Sequence, residues 1–187
     1  RIRRMGKFKL IASDLDGTLL LDHAQELKEE QISLIRALLN QGYLFFAASG
    51  RQYPNIRRLF GPLKDRIGYI CENGSMVVYK EETIVKRFIG RGLGLTLMEE
   101  ILKEEGAELL LSGEQTSYVI PKKREYLEWL SQVVKNVVTE VCTPGDVTEA
   151  FLKISVFYPK GIPADRESYF RDKYGQILYI ADSGGGW

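Results

Sequence analysis

Ile11-Ala12-Ser13-Asp14-Leu15-Asp16-Gly17-Thr18-Leu19-Leu20 is the stretch from which the rest of the sequence is read. An apolar run from Phe8 to Ala12 predicts a short buried strand, and it gives way at once to two carboxylates, a glycine and a threonine. In an open α/β sheet, ligands bind just past the carboxyl ends of the strands. Acids there are poorly sited for packing and well sited for chemistry. Residues i and i+2 of a strand share a face, so Asp14 and Asp16 can converge on one small object while Gly17 turns the backbone sharply behind them. Converging carboxylates repel unless a cation or a shared proton compensates. Mg2+ suits the place, because it is usually held by one or two carboxylates with water and phosphate oxygens completing its shell. Such a pair can serve phosphoryl transfer, one aspartate attacking phosphorus and the other exchanging a proton with the leaving group. A calcium loop of the helix-loop-helix kind fails, since its sixth position would be Leu19 instead of Gly and its twelfth Gln25 instead of Glu. A plain solvated turn is the other alternative, and the joint occurrence of strand, paired acids, Gly and Thr weighs against it.

Working outward, Leu27 to Asn40 carries apolar residues at Leu27, Ile32, Ile35, Leu38 and Leu39 with charge between them, and Gly42 follows as a stop. That pattern predicts an amphipathic helix. Tyr43 to Ala48 predicts a second buried strand, ending in Ser49-Gly50-Arg51. The strand-helix-strand unit is a right-handed crossover, which brings Ser49 out near Asp14. A hydroxyl there can donate to a phosphoryl oxygen, Gly50 lets the backbone approach, and Arg51 can pair with a phosphate or carboxylate. By default Ser49 is a turn former and Arg51 a surface side chain. Pro54 predicts the first turn of a short helix to Phe60, closed by Gly61-Pro62, and Ile67 to Cys71 a third strand running into Asn73-Gly74. Met76 to Tyr79 and Ile84 to Phe88, joined by Lys80-Glu81-Glu82-Thr83, predict a hairpin that leaves the sheet.

Asp14-Leu15-Asp16-Gly17-Thr18-Leu19-Leu20 resembles the first motif of the haloacid dehalogenase (HAD) superfamily of phosphohydrolases. Ala47-Ala48-Ser49-Gly50-Arg51 and Cys71-Glu72-Asn73-Gly74 are similar to the second motif and the Asn-Gly turn of its Cof-like branch, whose members carry a type IIB cap. The resemblance implies an α/β fold, a doubly wound parallel-sheet core with an inserted α/β cap. It implies Mg2+-dependent hydrolysis of a small phosphomonoester, such as a sugar phosphate, through an aspartyl-phosphate. In that scheme Asp14 is nucleophile and metal ligand. Asp16 is general acid/base and lends its backbone carbonyl to the metal, Thr18 steadies the loop, and Ser49, Gly50, Arg51 and Asn73 border the phosphoryl group. For Asn73 and Gly74, a turn selected for positive φ is an equal alternative.

The texture changes near residue 90, and the expected division is core 1–90 and cap 91–187. Predicted elements of the second part are helix Leu95 to Glu105, strand Glu108 to Leu111, strand Tyr118 to Ile120, helix Arg124 to Lys135, strand Phe151 to Tyr158, helix Ala164 to Tyr174 and strand Gln176 to Ile180. They predict an α/β sandwich on a separate, largely antiparallel sheet, with Tyr126, Leu127, Leu130 and Val134 in its core. The sequence does not single out substrate contacts in this part; Lys153 and the Gly145-Asp146 turn are candidates only in the weakest sense.

Family members continue past the cap into a second half of the core that supplies a lysine and an acidic cluster. This sequence reaches Gly184-Gly185-Gly186-Trp187 without them. The expectation is a partial core, with the acid-bearing strand at a sheet edge that calls for self-association or a complementing chain. It also keeps open a different reading, a non-catalytic fragment or a binding or regulatory protein.

Composition sets the remaining bounds. With 187 residues, 44% of them hydrophobic, and a net charge of +1, nothing points to a nucleic-acid or membrane partner. Cys71 and Cys142 lack metal-ligand spacing and predict buried free thiols in a reducing cytoplasm. No leader pattern or membrane-length apolar run occurs. The basic stretch Arg1 to Lys7 is expected to be vector-derived or an upstream extension, with Met5 as natural start, and His23 to lie in an exposed loop.

Overall fold

The structure, a computed structural model, describes residues 8–21 and 24–187. His23 and the basic stretch 1–7 lie outside the described residues. The chain divides into two compact units, Arg1–Arg87 and Phe88–Trp187.

The first unit is built on β1 (Leu10–Asp14), α1 (Glu29–Asn40), β2 (Leu44–Ala48), α2 (Tyr53–Leu59), β3 (Gly68–Cys71), β4 (Met76–Tyr79) and β5 (Glu82–Lys86). They form a five-stranded sheet in the order β1-β2-β3-β4-β5. β1, β2 and β3 run parallel, Leu10 opposite Leu44 and Asp14 opposite Ala48, because α1 and α2 return the chain between them. β2 is the buried strand, with Phe45, Phe46 and Ala47 all inside. α1 turns Ile32 and Ile35 inward, as its spacing requires. Under α2, Ile56, Phe60, Leu63 and Tyr69 form the core, the Tyr69 ring meeting Tyr53 edge-on at 5.3 Å and Phe60 at 6.2 Å. Gly68 is needed where it stands, since a Cβ there would lie 2.2 Å from the Phe46 ring, which stacks on Tyr79 at 5.5 Å across the glycine.

Two expectations are corrected here. β1 begins two residues later than the apolar run and carries no fully buried residue, Phe8 being 75% exposed, because it is the terminal strand and pairs with β2 alone among the described residues. The hairpin does not leave the sheet: β4 pairs antiparallel with β3, and β5 with β4. Its loop is only Lys80-Glu81, both at positive φ (52° and 65°), the tight turn whose twist matches that of paired strands.

The second unit comprises α3 (Arg91–Lys103), β6 (Glu108–Ser112), β7 (Ser117–Val119), α4 (Arg124–Gln132), β8 (Val138–Glu140), β9 (Lys153–Phe157) and α5 (Arg166–Tyr174). Its sheet runs β8-β7-β6-β9, antiparallel except for the β7–β8 pair. β6 reads as a continuous apolar run because helices cover both faces. Leu109 and Leu111 join Leu97, Met98 and Ile101 of α3 and Phe170 and Tyr174 of α5, while Leu110, between them, joins Tyr126 and Leu130 of α4 on the other face. Beside that second cluster, Trp129, Phe157 and Trp187 stack, Trp129 on Phe157 at 4.8 Å and Phe157 against Trp187 at 4.6 Å.

Three further expectations fail. Gln176 to Ile180 is no strand: it begins as a turn off the end of α5, the Ile177 and Leu178 amides donating to Tyr174 O at 3.0 and 2.8 Å, and has no ladder partner among the described residues, its Tyr179 90% exposed. β8 is a strand that its short polar sequence Val138-Thr139-Glu140 did not announce. Cys71 is buried, its thiol pushed up to about 12 by burial, with Glu72 adding to the effect, but Cys142 is exposed, so the pair are not both core thiols.

Candidate active site

The acid turn follows from alternation. Leu15 and Leu20 are buried (0% and 2% exposed), and with them fixed below, Asp14 and Asp16 stand in solvent above. The turn closes through Leu20 N–H to Leu15 O at 2.7 Å and Gly17 N–H to Leu20 O at 2.9 Å. Gly17 sits at φ +82°, a conformation that suits glycine. The Thr18 hydroxyl donates to Asp14 Oδ2 at 3.4 Å, and Gln31 of α1 donates to Leu19 O at 2.7 Å, tying the turn to the helix.

The end of β2 supplies the facing wall. Ser49 is buried, its Oγ accepting the Arg51 amide at 3.1 Å and donating to Asp16 Oδ2 at 3.5 Å. Arg51 grips Asp16 with both arms of its fork, Nε to Oδ2 at 3.0 Å and Nη2 to Oδ1 at 2.6 Å. This two-point, charge-assisted geometry is the strong form of an arginine–carboxylate pair. The third nitrogen, Nη1, donates to the buried Asn55 Oδ1 at 3.4 Å, so α2 braces the guanidinium from behind.

The end of β3 supplies the rim. Glu72, Asn73 and Gly74 all have positive φ (50°, 56° and 89°), a run that non-glycine residues adopt only when their surroundings hold them. The Asn73 amide donates to Ser49 O at 3.3 Å and the Glu72 amide to Arg51 O at 3.2 Å. A Cβ on Gly50 would lie 2.5 Å from Asn73 Oδ1, so any side chain here would push the Asn73 amide aside.

The structure therefore brings Asp16, Ser49 and Arg51 into direct contact, sets Asn73 against Gly50, and places Asp14 at the end of the strand next to β2. Asn55 was missed from sequence; its signal is the i, i+4 spacing from Arg51 into a helix opened by Pro54. In the second unit, Asp146 Oδ2 accepts the Thr143 amide at 2.8 Å, and Arg91 binds Gly145 O at 3.1 Å, so that turn is held by structural contacts. Lys153 lies on β9. Among the described residues no cluster of three or more His, Cys, Asp or Glu side chains could hold a metal, and no helix is long and apolar enough to cross a membrane.

A model of the haloacid dehalogenase-like hydrolases matches residues 11–187, from the start of the acid turn onward. The chain belongs to the haloacid dehalogenase-like hydrolase family. Among relatives of this HAD-family chain, the 5-amino-6-(5-phospho-D-ribitylamino)uracil phosphatase of Escherichia coli (strain K12) is 22% identical over 178 residues, 95% of this chain and 66% of the relative. Phosphoglycolate phosphatase 1 of Saccharolobus solfataricus is 39% identical over 75 residues, 40% of this chain and 33% of the relative. The chain thus spans just under two thirds of the first curated relative's length and a third of the second's. Among solved structures, a Streptococcus mutans UA159 protein superposes with TM-score 0.83 at 24% identity, covering 96% of this chain and 68% of that one. A HAD subclass IIB sugar phosphatase superposes with TM-score 0.68 at 22% identity, covering 88% and 62%. These likenesses show the HAD-like α/β fold.

Proposed function

We propose that this chain carries the reacting carboxylates of a Mg2+-dependent phosphomonoester hydrolase acting on a small phosphorylated metabolite, such as a sugar phosphate. The observation that carries the reading is the acid turn itself: Asp14 and Asp16 stand exposed over buried Leu15 and Leu20, with Asp16 against Ser49 and Arg51. Acids held above a packed anchor, beside donors suited to phosphoryl oxygens, are placed for chemistry more than for stability.

In this reading Asp14 attacks phosphorus, the ester P–O bond breaks, and the leaving oxygen takes its proton from Asp16. Water then attacks the aspartyl-phosphate, Asp16 takes a proton from that water, and the Asp14 oxygen departs with inorganic phosphate released. Ser49 donates to a phosphoryl oxygen, and Gly50 and Asn73 shape the rim. Arg51 supplies a guanidinium within reach of the same oxygens. Two aspartates beside a phosphate place are a donor set that fits Mg2+, with Asp14 and the backbone carbonyl of Asp16 as the protein ligands. When bound, the ion would offset the charge that the carboxylates and phosphate bring together. The second unit, by its fold likeness to subclass IIB structures, is proposed as the cap that selects the substrate.

The test is Mg2+-dependent release of phosphate from a generic aryl phosphate, with Asp14→Asn as control. Turnover that disappears in the variant supports the reading. Absence of turnover, or turnover that survives the substitution, rejects it for this chain and favours a binding role.

A further inference from the structure

The donors that the proposed phosphatase reading assigns to a phosphoryl group already have an anion on them. Arg51 spends Nε and Nη2 on the two oxygens of Asp16, and Ser49 Oγ points at Oδ2 of the same carboxylate. The Arg51 side chain is largely covered, at 22% exposure, and braced by Asn55, whereas Asp16 is 56% exposed on its turn. The rigid member of the pair is therefore the donor, and the member free to swing away is the carboxylate.

We propose that Asp16 is an internal competitor for the phosphoryl group: its carboxylate mimics two phosphoryl oxygens on the Arg51 fork, and phosphoryl binding displaces it. This rests on the phosphatase reading and adds a consequence to it. A carboxylate gripped on both oxygens has neither of them available to a leaving group. Once phosphoryl oxygens take the fork and the Ser49 hydroxyl, Asp16 is released as a carboxylate beside the newly bound ester, where it takes up a proton from solvent and can pass it to the leaving oxygen. Binding and the freeing of the acid/base are then one exchange of partners, made possible because carboxylate and phosphate both fit the planar guanidinium bidentately.

The exchange predicts an effect opposite to that of losing a binding residue. In calorimetric titration with inorganic phosphate at fixed Mg2+, Asp16→Asn should bind phosphate more tightly than the wild type, by roughly 3- to 10-fold for removal of one competing ion pair. Removing a negative charge would by itself help any anion, so the decisive comparison is the same substitution made on Arg51→Ala. There the gain should shrink to less than about twofold, because the contested fork is gone. Asp16→Ser, measured alongside, keeps the test valid if the asparagine variant is poorly folded. An equal gain with and without Arg51, no gain in either Asp16 variant, or no phosphate binding in any form would overturn the proposal. Aryl phosphate hydrolysis by the wild type, assayed in parallel, distinguishes the two claims: lack of turnover with the coupled gain intact removes the phosphatase reading and leaves the exchange standing.

Discussion

The acids of the two units are used in opposite ways. In the second unit, Glu149 lies inside the loop between β6 and β7, accepting the Glu114 amide at 2.5 Å, the Gln115 amide at 2.9 Å and the Tyr118 hydroxyl at 3.0 Å. Gly113 leaves room for it, since a Cβ there would lie 2.4 Å from Glu149 Oε2. Glu100 on α3 binds Lys173 at 2.8 Å, Tyr169 at 2.5 Å and the Tyr174 hydroxyl, joining α3 to α5. Burial alone would raise its pKa, but these hydrogen bonds and the Lys173 charge outweigh burial and bring it down to about 2. In the first unit, Asp14 has the Thr18 hydroxyl and Asp16 has the Ser49–Arg51 pair, and both stand in solvent. A carboxylate that closes a loop or joins helices stabilises the fold; one left exposed above an apolar anchor with a single hydroxyl contact, as Asp14 is, stabilises little and is available to a ligand.

Substitutions sharpen that contrast. Asp14→Asn should reduce turnover by about a thousandfold or more, as removal of a nucleophile does, while its unfolding midpoint in urea stays close to wild type. Glu149→Ala should do the reverse in kind, losing about 2–3 kcal/mol of stability by circular dichroism in urea, because loop amides and a tyrosine hydroxyl lose their acceptor. A comparable loss for Asp14→Asn would break the comparison.

Acid offers a gentler probe. Because Glu100 has a folded pKa below its unfolded value of 4.5, its contribution is complete above about pH 4.5 and is lost as pH falls toward 2. Wild-type stability, followed by thermal melts across that window, should drop more steeply than that of Glu100→Gln. Parallel curves would show that the network adds nothing.

The smallest effect concerns Tyr126, whose hydroxyl is buried without a hydrogen-bond partner among the described residues and whose pKa is raised, chiefly by burial and further by Glu108. Tyr126→Phe should leave stability within about 0.5 kcal/mol of wild type or raise it, since no bond is lost and no polar atom stays buried. A clear loss in calorimetric melts would reveal a bond to that oxygen.

What could be read ahead of the structure divides along physical lines. Continuous apolar runs such as Leu44–Ala48 and the spaced apolar residues of α1 report burial directly, and their elements formed where periodicity put them. Pairing is not written in one segment. Gln176 to Ile180 has strand composition and found no partner, whereas Val138–Glu140 has little and found β7. The same limit holds at the site. Asp14, Asp16, Ser49 and Arg51 announce themselves by residue type and order, but that Arg51 would lie on Asp16, with Asn55 behind it, depends on how the ends of β1 and β2 and the start of α2 meet. The haloacid dehalogenase-like family and the α/β class were within reach from motifs alone.

The aromatic stack has an optical consequence. The chain has two tryptophans, Trp129 and Trp187, both in the second unit, with ring centroids 6.0 Å apart. Indole emission therefore arises within that unit. Two indoles so close should also couple electronically, giving paired ultraviolet dichroism bands that vanish as soon as Trp187 leaves Phe157. The tryptophan light thus has its source in one half, and the other half can be watched through tyrosines such as Tyr53 and Tyr69 or through a label placed there.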